Sequence, residues 1–334
     1  MFVPSPVIPS FPPEWQPVVD KAAASLRALA LDLHAKERFC SDPVLQAYMH
    51  KVSQRYVAGQ TVGDAVRRVA QIRAAGHRAS AEYMGESVHD EALANAETEV
   101  FLNLVRALDA AGHDCSISFD LSHLGLLVDE ELGYRNARRV IQAAASSGRE
   151  VMISMENFER TDAIYRLYAR LHGDGYANVG ITMPARRHRS AQDLARLMEI
   201  PGRIRLVKGA FHEPESVSYA RNSAELAQAY RSYAATLLRS GHLCSIATHD
   251  RSIQHDLTSL IASDGIAPGQ YEFESLDGLG TEQVANLRAQ GYATREYLVF
   301  GAEHFLYVLN RIAEEPVRVY QAITDLLADY TRPA

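Results

Sequence analysis

The chain is predicted to be an α/β protein, a parallel (β/α)8 TIM barrel with N-terminal helices, and three observations carry the prediction. Eight short apolar segments follow one another between residues 79 and 301. The stretches between them place apolar residues three and four apart, the period of an amphipathic helix. Successive segments begin on average about 31 residues apart, the length of one strand, one helix and two loops. A doubly wound sheet would also alternate in this way, but no G-x-G-x-x-G turn follows any strand candidate.

In chain order, residues 1–13 hold prolines at 4, 6, 9, 12 and 13, which fix φ and remove amide donors, so an extended arm is expected there. Residues 14–77 read as a helical segment, with stretches such as VVDKAAASLRALALDLHAKE and TVGDAVRRVAQIRAAGHR. Residues 78–334 form the expected barrel. Its strand candidates are 79–86, 114–121, 150–157, 178–184, 203–211, 243–250, 270–278 and 296–301. Helices are expected over 90–111, 129–147, 160–173, 191–198, 216–241, 252–263 and 281–290.

The 334 residues are 47% hydrophobic and 22% charged, enough apolar material for a substantial core. With 34 basic against 41 acidic residues the net charge is −7, which speaks against a nucleic-acid partner. No apolar run long enough for a transmembrane segment and no basic-then-apolar leader is visible, so a cytoplasmic location is expected, with peripheral attachment to a membrane left open. Three scattered cysteines, Cys40, Cys115 and Cys244, make neither a disulfide framework nor a zinc module. The histidines show neither H-x-H on a strand nor H-E-x-x-H on a helix, so no metal site is expected.

Barrels carry their chemistry where the strands end, so those ends can be read directly. They hold Glu82 and Glu86, then Asp120, then Glu156 and Asn157, with Arg186, Arg187, His188 and Arg189 after the fourth. RLVKGAF, ATHD and EFESLDG follow on the fifth to seventh, and Tyr297 on the eighth. Such a polar ring is expected at the open mouth and not on the closed bottom face. Asp250 also fits a helix N-cap, and the arginines from 186 to 189 also fit a solvated loop. Lys208 is the only lysine after position 51, and at the end of an apolar strand it needs an acceptor or anion as partner. A strand-end lysine also suits a Schiff-base nucleophile, and spacing alone leaves that open.

The ordered segments ASAEYMGE (79–86), ISFDLSHLGL (117–126), VMISMENF (151–158), RLVKGAFHEP (205–214), ATHD (247–250), YEFESLDG (271–278) and YVLNRIAEEP (307–316) resemble the proline dehydrogenases, flavoenzymes built on this barrel. The resemblance implies FAD held without a covalent bond. Arg205 and Lys208 would lie near the flavin ring, Gly209 and Ala210 would belong to the same motif, Thr248 and His249 would contact the cofactor, and Glu314 would be a further contact.

On the substrate side the family pattern changes. Where members carry Tyr-x-x-Arg-Arg, with both guanidiniums on the proline carboxylate, this chain has Tyr307, Asn310 and Arg311. Asp120 stands where a lysine is usual, Glu82 for an aspartate, Phe211 for a tyrosine, Glu274 for a glutamine and Pro184 for a glutamine, while Leu276 and Tyr297 keep the pattern. Lysine to aspartate and arginine to asparagine together remove three units of positive charge.

The resemblance therefore implies an FAD-dependent oxidoreductase that oxidises a C–N bond of an amine, amino acid or imino acid to an imine, with hydride moving to the flavin. Asp120, Glu82, Tyr297 and Tyr307 would be its catalytic groups, and Arg311, Asn310, Leu276 and Phe211 would bind substrate. The expected partners are a small amine or amino acid and an electron acceptor, whether quinone, oxygen or carrier protein. An authentic L-proline dehydrogenase is one alternative, and a catalytically inactive barrel serving as a scaffold is another.

Overall fold

The computed structural model describes residues 12–85, 87–211, 213–315 and 317–327. Nearly all of the expected arm, together with Glu86, His212 and Pro316 of the motifs, lies outside the described residues. A short 3-10 turn precedes four helices, α1 (Gln16–Leu31), α2 (Leu33–Ser41), α3 (Pro43–Ser53) and α4 (Val62–Ala74). Local sequence starts each of the last three. Asp32 and Asp42 accept from backbone amides at the starts of α2 and α3, and Thr61 with Asp64 forms a capping box on α4.

Eight parallel strands then close in sequence order into a barrel. They are β1 (Arg78–Tyr83), β2 (Ser116–Phe119), β3 (Val151–Ile153), β4 (Val179–Pro184), β5 (Ile204–Val207), β6 (Cys244–Ala247), β7 (Tyr271–Leu276) and β8 (Thr294–Phe300). The connecting helices are α5 (Glu91–Ala110), α6 (Glu130–Ser146), α7 (Thr161–Gly173), α8 (Ser190–Leu197), α9 (Ala224–Ser240), α10 (Arg251–Asp264) and α11 (Thr281–Ala289). After β8 come α12 (His304–Glu314) and α13 (Arg318–Leu327).

Most expected strands overran at their C-terminal ends. The barrel ladder stops by Ile153, Val207 and Ala247, and the polar residues beyond them form rim loops. α9 starts eight residues later than expected, at Ala224. The stretch before it makes an isolated bridge from Ser218 to Arg187, and Ser223 caps the helix.

Alternate residues of the strands separate two environments. Ala79, Ala81, Ile117, Phe119, Ile181 and Leu206 belong to the buried apolar shell shared with the surrounding helices. The opposite faces fill the barrel with paired charges. Arg295 bonds Glu272 at 2.7 Å and Ser116, while Ser245 donates to Glu272 at 2.7 Å. Arg203 bonds Glu150 at 2.8 Å, and Arg78 meets Glu272 at 3.0 Å. Nearer the mouth, Arg205 bonds Glu274 at 2.9 Å and donates to the hydroxyls of Ser80 and Ser118, each at 3.1 Å.

The expectation that the closed end lacks polar groups is thus overturned. Glu272, read as part of a strand-end cluster, stands one residue into β7 and inside the barrel. Serines leave the space that arginine side chains fill, where such barrels more often stack branched apolar residues.

Burial pushes the Glu272 carboxyl up, yet Arg295 and Arg203 outweigh it and hold the group far below its ordinary range. Glu97 on α5 goes the other way. Burial and then the charge of Glu303 raise it to about 7, and its Oε2 stands 2.9 Å from where a Cβ at Gly85 would lie.

Two outcomes follow for stability. Glu272→Gln, which leaves Arg295 without its counter-ion, should lower the unfolding free energy by roughly 3–5 kcal/mol in urea denaturation, and Arg295→Met should cost a similar amount. The Glu272 contribution is complete above the ordinary carboxylate range and disappears as pH falls below it, so the variant should also flatten the acid limb of the stability curve. Because the Glu97 value is raised, its contribution to wild-type stability should decline as pH rises from about 4.5 through about 7, and Glu97→Gln should make that slope shallower.

Candidate active site

A cavity of about 530 Å³ opens at the C-terminal ends of the strands, between the rim loops and α12. Arg205, Lys208, Gly209, Ala210, Phe211, Thr248, His249, Leu276, Tyr297, Tyr307, Arg311 and Glu314 all line it, so most of the expected site residues meet in one place. On α12 the lining residues Tyr307, Arg311 and Glu314 follow helical spacing. Asn310, although at helical spacing from Tyr307 and Glu314, is not part of the lining.

On the floor, the Arg205 guanidinium stands 5.0 Å from the centre of the Tyr297 ring. The Tyr297 hydroxyl donates to Glu82 at 2.6 Å, and Ser154 donates to the same oxygen at 2.8 Å. Burial first, and then the Glu82 charge, push the Tyr297 phenol well above its usual range. Asp120 sits beside Glu82, and its carboxylate accepts no hydrogen bond among the described residues. Burial, then Glu82 and Glu156, raise it well above the ordinary value. Glu82 and Asp120 do not themselves line the cavity. They stand behind Tyr297 and Ser154, and Ser154 is a contact that sequence reading missed.

At the rim, Lys208 finds the anionic partner its position requires in Asp250 at 2.7 Å. Asp250 is at the same time the N-cap of α10, accepting from Ser252 and Ile253, so the helix-cap reading of that residue holds. His249 Nε2 stands 3.2 Å from the Leu276 amide nitrogen and 3.0 Å from Ser275 Oγ, so the ring is held from β7. Burial, followed by the Arg318 charge, pushes its value down to about 4, so the ring is neutral near pH 7. Phe211, 44% exposed, stands at the mouth.

The lining holds more arginines than the motifs suggested. Arg221 bonds Glu314 at 2.9 Å, Arg311 bonds the same oxygen at 2.8 Å, and Arg318 pairs with Glu315 at 2.7 Å. Arg311 also lies 5.1 Å from the Tyr307 ring centre, and its Nε is buried without a partner. The expected shortage of positive charge counted motif positions only, and Arg221 and Arg318 offset part of it. Nothing in their local sequence marks either as a cavity residue.

Nor are the arginines after β4 a solvated loop throughout. Arg187 is buried and bonds Glu213, Thr161 and the carbonyl of Glu156, and Arg186 is buried in the cavity wall. Glu156 pairs with Arg160 and accepts from the Ser122 amide, so it fixes a loop.

Buried donors in the lining without a partner among the described residues, including Arg311 Nε and Thr182 Oγ1, fit a long polar ligand with several acceptor oxygens, as a flavin dinucleotide is. Gly209 adds a close approach at φ +113°, where a Cβ would meet Arg186 Cδ at 2.8 Å. No group of three or more metal-ligating side chains occurs among the described residues. Nor is any described helix long and apolar enough to cross a membrane.

Comparison with known proteins agrees with this geometry. The family model described as proline dehydrogenase matches residues 65–317. The chain is 31% identical over 288 residues to the proline dehydrogenase of Deinococcus radiodurans, covering 85% of this chain and 93% of that one. It is 28% identical over 276 residues to proline dehydrogenase 1 of Bacillus subtilis, covering 82% and 90%. Among solved structures, proline utilization A from Bdellovibrio bacteriovorus, inactivated by N-propargylglycine, superposes with a TM-score of 0.77 at 18% identity. That match covers 95% of this chain and 39% of the larger one. The barrel, the cavity at its mouth and these matches together establish that the chain belongs to the proline dehydrogenase family.

Proposed function

We propose that the chain is an FAD-dependent oxidoreductase that converts the C–N bond of an amino or imino acid, proline or a modified or carrier-bound relative of it, to an imine. The observation that carries the reading is the clustering of the Arg205–Phe211 motif, Thr248 and His249 with Tyr297, Tyr307 and Arg311 around one cavity. When bound, FAD supplies the acceptor for the hydride that leaves the substrate carbon. Arg205, Lys208, Thr248 and His249 would hold it. Gly209 and Ala210 would let its edge approach the main chain, and Glu314 would orient Arg221 and Arg311 beside it. The electron acceptor from the reduced enzyme would be a quinone, oxygen or a carrier protein.

On the substrate side, Arg311 binds the carboxylate or ester carbonyl while Leu276, Tyr307 and Phe211 exclude water from the reacting carbon. The nitrogen faces Tyr297, whose hydroxyl is hydrogen-bonded to Glu82. Imine formation releases one proton from nitrogen as the hydride leaves carbon. Tyr297 can receive it as its own proton passes to Glu82, so the neutral phenol is restored. Burial and the Glu82 charge raise the Asp120 carboxyl, which favours its neutral form in this buried site. Because the Asp120 carboxyl stands where the family has a lysine, the substrate end toward Glu82 and Asp120 is cationic or neutral.

Anaerobic titration of the purified flavoprotein tests this reading. An amino-acid ester or cyclic amine should bleach the flavin at lower concentration than free L-proline. Bleaching by L-proline alone would make the protein a proline dehydrogenase in the strict sense. Absence of bound flavin even after reconstitution with FAD would leave the scaffold alternative. Tyr297→Phe should retain the flavin spectrum and lower kcat/KM about ten- to a hundredfold, the loss of one charge-assisted hydrogen bond in the transition state.

A further inference from the structure

Arg186 is the lining cation whose charge has no counter-ion of its own. It is 5% exposed, its Nη1 donates to the carbonyl of Phe211, and its Nη2 donates to the carbonyl of Tyr219 at 3.1 Å. No carboxylate bonds it among the described residues. Glu213, the acid whose charge it feels, bonds Arg187 at 2.6 Å instead, while Arg187 and Arg27 repel it. Its Nε is buried with no acceptor, so three of the five guanidinium N–H donors are unclaimed among the described residues. Other cavity-lining cations, namely Arg187, Arg205, Lys208, Arg221, Arg311 and Arg318, each meet a carboxylate within 2.9 Å.

A buried arginine balanced only by carbonyl dipoles is costly, and the cost is removed when an anion arrives. Backbone geometry around Arg186 points the same way. Its Cδ and Cγ lie 2.8 and 2.9 Å from where a Cβ at Gly209 would stand, so the side chain passes over the glycine of the RLVKGA motif, against the cavity wall.

We propose that Arg186 is an oxyanion-binding residue of the cavity, its planar fork held open by the Phe211 and Tyr219 carbonyls to receive a phosphate or carboxylate group of a bound ligand. The oxyanion can come from two sources, the diphosphate of a dinucleotide cofactor or a carboxylate on the substrate. The first rests on the flavin reading above, whereas the anion site itself does not.

The test compares wild type with Arg186→Met, which keeps the stem and removes the charge, and with Arg186→Lys, which keeps charge without the fork. In full-length protein stripped of flavin, inorganic pyrophosphate should raise the melting temperature of wild type, raise that of Arg186→Lys less, and leave Arg186→Met unmoved. Should Arg186→Met fail to fold, the comparison of wild type with Arg186→Lys carries the same test.

If the cofactor supplies the oxyanion, Arg186→Met should weaken FAD roughly ten- to a hundredfold while riboflavin, which has no phosphate, binds as before. If the substrate supplies it, FAD affinity should stay constant and the KM of an amino acid should rise relative to that of its ester. A wild type that binds pyrophosphate through Arg186 but takes up no flavin would sink the flavin reading and leave the anion site standing. Variants that melt at a lower temperature yet bind pyrophosphate, FAD and amino acid as wild type does would show a merely structural arginine and overturn the proposal.

Discussion

The pairing of charges inside the barrel is the constraint on which the rest of the structure depends. A parallel barrel can be filled with branched apolar side chains, whose packing tolerates exchange of one for another. Here the space is filled by arginines and carboxylates, and each unpaired member would be a buried charge. Arg295 must reach Glu272 on the neighbouring strand and Ser116 across the interior, and Arg205 must reach Glu274, Ser80 and Ser118. A one-residue slip in any of these strands would turn its charges toward the helices, so the ion pairs select one register.

That floor determines what the cavity can do. Arg205 is held from β7, β1 and β2 and presents its guanidinium to the Tyr297 ring. The ring's hydroxyl is aimed at Glu82, which Ser154 holds from a third direction. Tyr297 is therefore positioned from both ends. The acidic pair of Glu82 and Asp120 lies one layer behind the lining.

The wall opposite is supplied by α12, and the helices before the barrel hold it in place. Arg27 of α1 donates to the carbonyl of Ala313 at 3.2 Å, Arg55 bonds Asp325 of α13, and Arg68 of α4 bonds Asp277 just past β7 at 2.7 Å. The first of these fixes the helix that carries Tyr307, Arg311 and Glu314, and the other two tie α13 and the end of β7 to the N-terminal helical segment. Glu314 then joins Arg221 and Arg311 across the cavity, so a segment far from the reacting groups in sequence takes part in shaping their site.

The sequence by itself determined the barrel. Eight apolar segments at an even spacing, a helix cap at Asp250, and the ordered motifs from 79 to 316 are local or periodic signals, and a periodic signal survives without knowledge of what lies across the fold. It also identified most of the cavity lining, because residues at strand ends are brought together by the topology alone. Three matters were decided only in the folded chain. Strand ends at Ile153, Val207 and Ala247 depend on which neighbours complete the ladder. The inward course of Arg295 and Glu272 depends on partners 23 residues apart meeting across two strands. The removal of Asn310 from the lining, the entry of Arg221 and Arg318, and the unmatched charge of Arg186 depend on which side chains are already taken. Charge pairing is a property of contacts between distant residues, so composition and spacing cannot show which cation is left over.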